Sequence, residues 1–151
     1  MKFAVAVDGS AEGERALDHA LDIAGAFAEP ASVVVVHAVE PDVYEEGGIR
    51  PVTDLEDAEQ RLILESIERA EERGEDVLES AVQTATGRGQ AIETELLYGD
   101  PSERLPSYLE GTEFDMLFVG HRSRSERAER ALGSVAKVLV ERAPIPVTVV
   151  R

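Results

Sequence analysis

The residues best placed for chemistry flank one loop in the last quarter of the chain. Met116-Leu117-Phe118-Val119-Gly120 is an apolar run ending in Gly; a loop from His121 to Leu132 follows, and Gly133-Ser134-Val135-Ala136 opens the next element. A strand that ends in Gly and feeds a helix start leaves backbone N–H groups without intrahelical partners at the carboxyl edge of a sheet. With the positive end of the helix dipole, those donors form an anion site. The loop carries Arg122, Arg124, Arg127 and Arg130 against Glu126 and Glu129, a basic excess that points to a phosphate group. The same arginines would serve equally well on a solvated loop, pairing with neighbouring carboxylates. This segment alone does not choose.

Asp8 and Asp100 also follow apolar runs, and carboxylates at strand ends can hold a metal or act as bases. For Asp100 the capping role is favoured, because Asp100-Pro101-Ser102-Glu103 has an N-cap acid, Pro at the first helical position and Glu at the third. Asp8 is balanced between a turn residue bonded to its own backbone and a ligand contact. His19, His37 and His121 fall on three separate elements, so they do not form a metal site. His19 reads as solvated and His37 as a hydrogen-bonded structural residue. No Gly-x-Ser-x-Gly elbow, Gly-x-Gly-x-x-Gly turn or P-loop is present. Gly87-Arg88-Gly89 precedes a strand and reads as a turn.

The elements that position these residues follow from hydrophobic spacing. Phe3 to Val7 and Ser32 to Val39 are apolar without alternation, as in strands buried on both faces. Ile92 to Tyr98, Met116 to Val119 and Val147 to Val150 make three more. Helical spacing predicts helices from Ala11 to Ala28 and from Ser134 to Arg142. A further pattern runs from Asp54 to Gly87 with Gly74 inside it, giving one long helix or two short ones. The helix that starts at Pro101 contains Pro106, which is expected to shorten or kink it. Pro41 to Thr53, with Gly47-Gly48, reads as a loop. Strands alternating with helices imply an α/β fold, a parallel sheet with helices on both faces and ligands bound beyond the strand carboxyl ends.

Composition bounds the rest. At 151 residues the chain suits one domain spanning 1–151. It has no cysteine, no signal-peptide pattern and no apolar run of membrane-spanning length, so the cytoplasm is the expected compartment. The net charge of −16 opposes binding to nucleic acid or anionic lipid. Lys2 and Lys137 are the only lysines, and an acidic, lysine-poor chain suits a salt-rich, halophilic cytoplasm.

Several segments together resemble one family, the universal stress proteins. They are Ala4-Val5-Ala6-Val7-Asp8-Gly9-Ser10, Val36-His37-Ala38-Val39, Tyr98-Gly99-Asp100-Pro101, and Gly120 through Gly133-Ser134 with Ala143-Pro144-Ile145-Pro146-Val147. The resemblance implies a five-stranded parallel sheet of order 3-2-1-4-5, adenine nucleotide alpha hydrolase-like, bringing Asp8 beside Gly120. ATP-binding members carry Gly, two residues, Gly, nine residues, then Gly-Ser or Gly-Thr. Gly120, Gly133 and Ser134 match, whereas Ser123 stands at the second Gly. By carry-over, Asp8 and the backbone of Val7 and Ala38 would face base and ribose. Gly120, Ser123, Gly133, Ser134 and Val135 would hold the phosphates, with Arg122 adding charge. The expected function is an ATP-binding stress-response module, with Mg²⁺ as an accompanying ion and at most slow hydrolysis. The alternative is a dimeric interaction protein that has lost nucleotide binding. The resemblance also implies a homodimer formed through the final strand, Pro146 to Val150.

Overall fold

The computed structural model describes residues 1–39, 56–122 and 132–151, with side chains in the second stretch described from residue 67. Five strands, β1 (Lys2–Ala6), β2 (Ser32–Val39), β3 (Glu93–Tyr98), β4 (Met116–Gly120) and β5 (Val147–Val150), alternate with α1 (Ala11–Ala26), α2 (Glu56–Gly87), α3 (Pro101–Glu110) and α4 (Ser134–Arg142). They form one parallel sheet in the order β3-β2-β1-β4-β5. Ala4 sits at the centre, in register with Val34 on one side and Leu117 on the other.

The lack of alternation in β1 and β2 has its cause in two apolar layers. Phe3, Val5, Val33, Val35 and Phe118 face α1 and α2, whereas Ala4, Ala6, Val34, Val36, Leu117 and Val119 face α3 and α4. Phe3 and Phe118 are fully buried with ring centroids 5.4 Å apart; each contributes roughly 2–3 kcal/mol through burial alone. His19 is exposed, as its helix position suggests, although its ring edge also meets Phe118 with centroids 5.9 Å apart.

Helix α1 begins at Ser10, whose hydroxyl accepts the Gly13 N–H at 3.1 Å. It ends at Ala26 rather than Ala28, because Phe27 turns to extended backbone and lays its ring against Phe3. Helix α2 is one uninterrupted helix of 32 residues. Gly74 does not break it: a Cβ there would lie 2.6 Å from Val39 Cγ1 and 2.8 Å from Leu96 Cδ1. The glycine is where the helix presses closest on β2 and β3. Helix α3 is capped by Asp100, whose carboxylate accepts the Ser102 N–H at 2.7 Å. It continues past Pro106 to Glu110, and Pro106 is fully buried, so its packing offsets the missing donor. The expected loop from Pro41 to Thr53 and the start of α2 at Asp54 lie outside the described residues.

The two outer strands differ. β3 carries Glu93 and Glu95, both exposed, whereas β5 reads Val-Thr-Val-Val and all four residues are half-buried. No helix among the described residues is long and apolar enough to cross a membrane.

Candidate functional site

The chain leaves β1 toward α1 on one face and β4 toward α4 on the other, so these adjacent strands part at their carboxyl ends. A crevice opens there. It holds a cavity of about 460 Å³ lined by Val7, Asp8, Ala38, Gly120, Arg122, Ser134 and Val135, with Gly13, His37, Asp100, Ser102 and Leu105 among the other walls. That volume suits a small organic ligand.

Asp8 lies in the Asp8-Gly9-Ser10 turn. Its Oδ1 accepts the Ser10 N–H at 3.0 Å, and Gly9 takes φ 78°, which favours glycine. A Cβ on Gly13 would stand 3.3 Å from the same oxygen, so the carboxylate rests against the first turn of α1. The turn role and the cavity position thus coexist in one residue.

Val7 is more committed than its sequence position suggests. Its N–H donates to the Val36 carbonyl at 3.0 Å, extending the sheet one residue past β1. His37 Nδ1 lies 2.7 Å from the Val7 carbonyl; the carbonyl only accepts, so Nδ1 carries the proton. Its N–H is thus engaged within the sheet, whereas its carbonyl, with two lone pairs, keeps one beyond the His37 contact. Ala38 sits on β2 in register with Leu97.

Gly120 has a packing reason independent of any ligand. A Cβ there would lie 2.7 Å from the Glu12 carbonyl carbon, 2.8 Å from Glu12 Cβ and 2.9 Å from Glu12 O. Two residues on, Arg122 reaches back over this contact to Glu12, N to O 3.6 Å, and Arg15 approaches the same oxygen at 3.2 Å. So Arg122 both borders the cavity and is ion-paired.

Gly133 is buried and does not line the cavity. Its N–H donates to the His121 carbonyl at 2.7 Å, closing the loop, and its carbonyl accepts from Lys137 N at 2.8 Å. The N–H of Gly133 is therefore engaged, and Ser134, Val135 and Ala136 are the residues of the first turn of α4 that line the cavity. Gly133 is the N-cap and, being glycine, supplies no side-chain cap of its own at the start of α4. Ser123, with Arg124, Glu126, Arg127, Glu129 and Arg130, lies outside the described residues.

The walls also include residues not among the expected site residues: Ala6, Gly13, His37, Val119, Ala136 and the start of α3. The signal for α3 was available, since it follows the carboxyl end of β3 and so borders the same edge of the sheet. Away from the crevice, burial and then Glu95 push the Tyr108 phenol up from its usual range.

The sequence profile of the Universal stress protein family matches residues 1–151. A universal stress protein of Thermus aquaticus is 32% identical over 97% of this chain and 96% of its own length. Among solved structures, the universal stress protein UspA of Lactobacillus plantarum aligns with TM-score 0.73 at 23% identity, covering 100% of this chain and 97% of its own. One from Archaeoglobus fulgidus, in complex with dAMP, aligns with TM-score 0.63 at 23% identity, covering 100% and 98%. Strand order, the crevice beside β1 and β4, and a sequence match over the whole length agree: the chain belongs to the universal stress protein family.

Proposed function

We propose that this chain is a stress-response module that binds an adenine nucleotide in the crevice and does no rapid chemistry on it. The observation that carries the reading is the start of α4, which follows the N-cap Gly133 and where Ser134, Val135 and Ala136 line a cavity of about 460 Å³. Such a helix start attracts a phosphoryl group. The dAMP complex of the Archaeoglobus fulgidus relative supports the nucleotide class. ATP is the ligand implied by the Gly120 and Gly133-Ser134 spacing; because Asp8 and Asp100 border the cavity, a triphosphate would enter with a cation such as Mg²⁺. The working compartment is a salt-rich cytoplasm, in keeping with the charge of −16.

Calorimetric titration with ATP and Mg²⁺, and separately with AMP, in molar KCl tests this. A nucleotide at tenfold its dissociation constant stabilises the folded chain by about 1.4 kcal/mol, a rise of roughly 3–6 °C in melting temperature. No heat and no shift at millimolar nucleotide would overturn the reading. A second reading, an interaction protein without nucleotide, is favoured by the Glu12–Arg122 ion pair, which already occupies a cavity cation. Nucleotide carried through purification would end it.

The assembly proposed is a homodimer through Pro146 to Val150, burying Ile145, Val147 and Val149 between copies. Pro146 O and Val150 O accept from Leu117 N and His121 N of β4, so Val147 and Val149 present their backbone groups outward. Light scattering should then give about twice 16.4 kDa. Val149→Pro removes an outward donor while sparing the β4 ladder, and should shift the chain toward monomer with unchanged circular dichroism. A monomer at millimolar concentration would refute the pairing.

A further inference from the structure

Glu12 stands where the crevice, the first turn of α1 and the end of β5 meet. Its backbone is held against Gly120, leaving no room even for a Cβ between them, so its side chain starts beside the end of β4. The side chains of Glu12 and Arg122 are only 18% and 21% exposed, so the charges are incompletely screened. One oxygen, Glu12 Oε1, serves both guanidinium groups, Arg15 at 3.2 Å and Arg122 at 3.6 Å. Arg15 is 49% exposed and anchored independently, its Nε donating to the Arg151 main-chain oxygen at 3.1 Å.

This arrangement fixes what happens when an anion enters the crevice. Drawing Arg122 toward a phosphate leaves Glu12 still paired with Arg15, so no buried charge is stranded and the move is inexpensive. What the phosphate must still overcome is the Glu12–Arg122 contact itself, which it has to break to take the guanidinium. A nucleoside without phosphate does not engage Arg122 and is indifferent to Glu12.

We infer that Glu12 is a resident competitor for Arg122, and that the Arg15–Glu12–Arg122 triad sets how strongly the crevice prefers a phosphorylated over an unphosphorylated nucleoside. The inference rests on the nucleotide reading above and names the residue that tunes it. Glu12 acts through Arg122 rather than by touching the ligand.

The test is titration of the full chain with AMP and with adenosine, in the unmodified protein and in Glu12→Gln, Arg122→Gln, the double variant and Arg15→Gln. Glu12→Gln should tighten AMP about fivefold, the upper range for a partly exposed pair, and leave adenosine unchanged. Arg122→Gln should weaken AMP, and the double variant should match Arg122→Gln alone, because Glu12 matters only through Arg122. Arg15→Gln, remote from the crevice, should weaken AMP by turning Glu12 wholly onto Arg122. A Glu12→Gln chain that binds AMP unchanged or more weakly, or that shifts adenosine equally, overturns the inference while the nucleotide reading stands. If neither AMP nor adenosine binds the unmodified chain, both fall together.

Discussion

Gly120→Ala is expected to destabilise the ligand-free protein by about 3 kcal/mol, the upper range for forcing a methyl into a filled site. For a chain of this size that lowers the melting temperature by roughly 6–12 °C. The size follows from what the new Cβ meets. All three neighbours within 3.0 Å belong to Glu12, two of them main-chain atoms in the first turn of α1, and a helix backbone cannot rotate aside as a side chain does. Relief requires α1 to move off the sheet, opening the layer that holds Phe3, Leu17, Leu21 and Phe118. Thermal melting without nucleotide is the decisive measurement. If Gly120 served only close approach of a phosphate, Ala would spare the melting temperature and damage binding alone.

Gly74→Ala sets two effects against each other. Ala in a helix interior is favoured over Gly by about 1 kcal/mol, which by itself predicts a gain. Against it stand contacts of 2.6 Å to Val39 Cγ1 and 2.8 Å to Leu96 Cδ1, with His37 Cδ2 at 3.2 Å. Leu96 can swing its terminal methyl, but Val39 is β-branched, buried and fixed in the sheet. Overpacking of this kind costs about 1–3 kcal/mol, so a net loss of about 1 kcal/mol is expected, visible as a lower urea midpoint with unchanged slope. A raised midpoint would mean that α2 rides higher over the sheet than these contacts indicate.

The strands and the crevice at their carboxyl ends were legible because unbroken Val and Ala runs have one explanation, burial on both faces, and alternation with helices fixes a parallel sheet. The strand order was not legible from spacing; it came with the family resemblance. Glycines were read by their usual local meanings, Gly74 as a weak point in a helix and Gly120 as a strand end that holds phosphate. Their actual neighbours, Val39 and Glu12, lie 35 and 108 residues away in sequence, and no local pattern carries that. The same distance hid the pairing of Arg122 with Glu12 and of Val7 with His37. Asp100 was read correctly as a cap because its partner, Ser102, is two residues on.

The difference between the two outer strands sets a valence. Along β3, Glu93 and Glu95 would meet like charges in any second copy laid against it, whereas β5 offers Val and Thr with no charge to repel. A sheet open on both sides adds copies without limit and ends as a fibre. A sheet open on one side can accept a single neighbour, and when that neighbour is its own copy related by a twofold axis, the pairing consumes the open side of each. In the proposed dimer growth would then stop at two, with acidic β3 strands at both outer ends. Removing Glu93 and Glu95 would open a second, propagating contact beside the closing one, and in that assembly the acidity of β3 would act as a chain terminator.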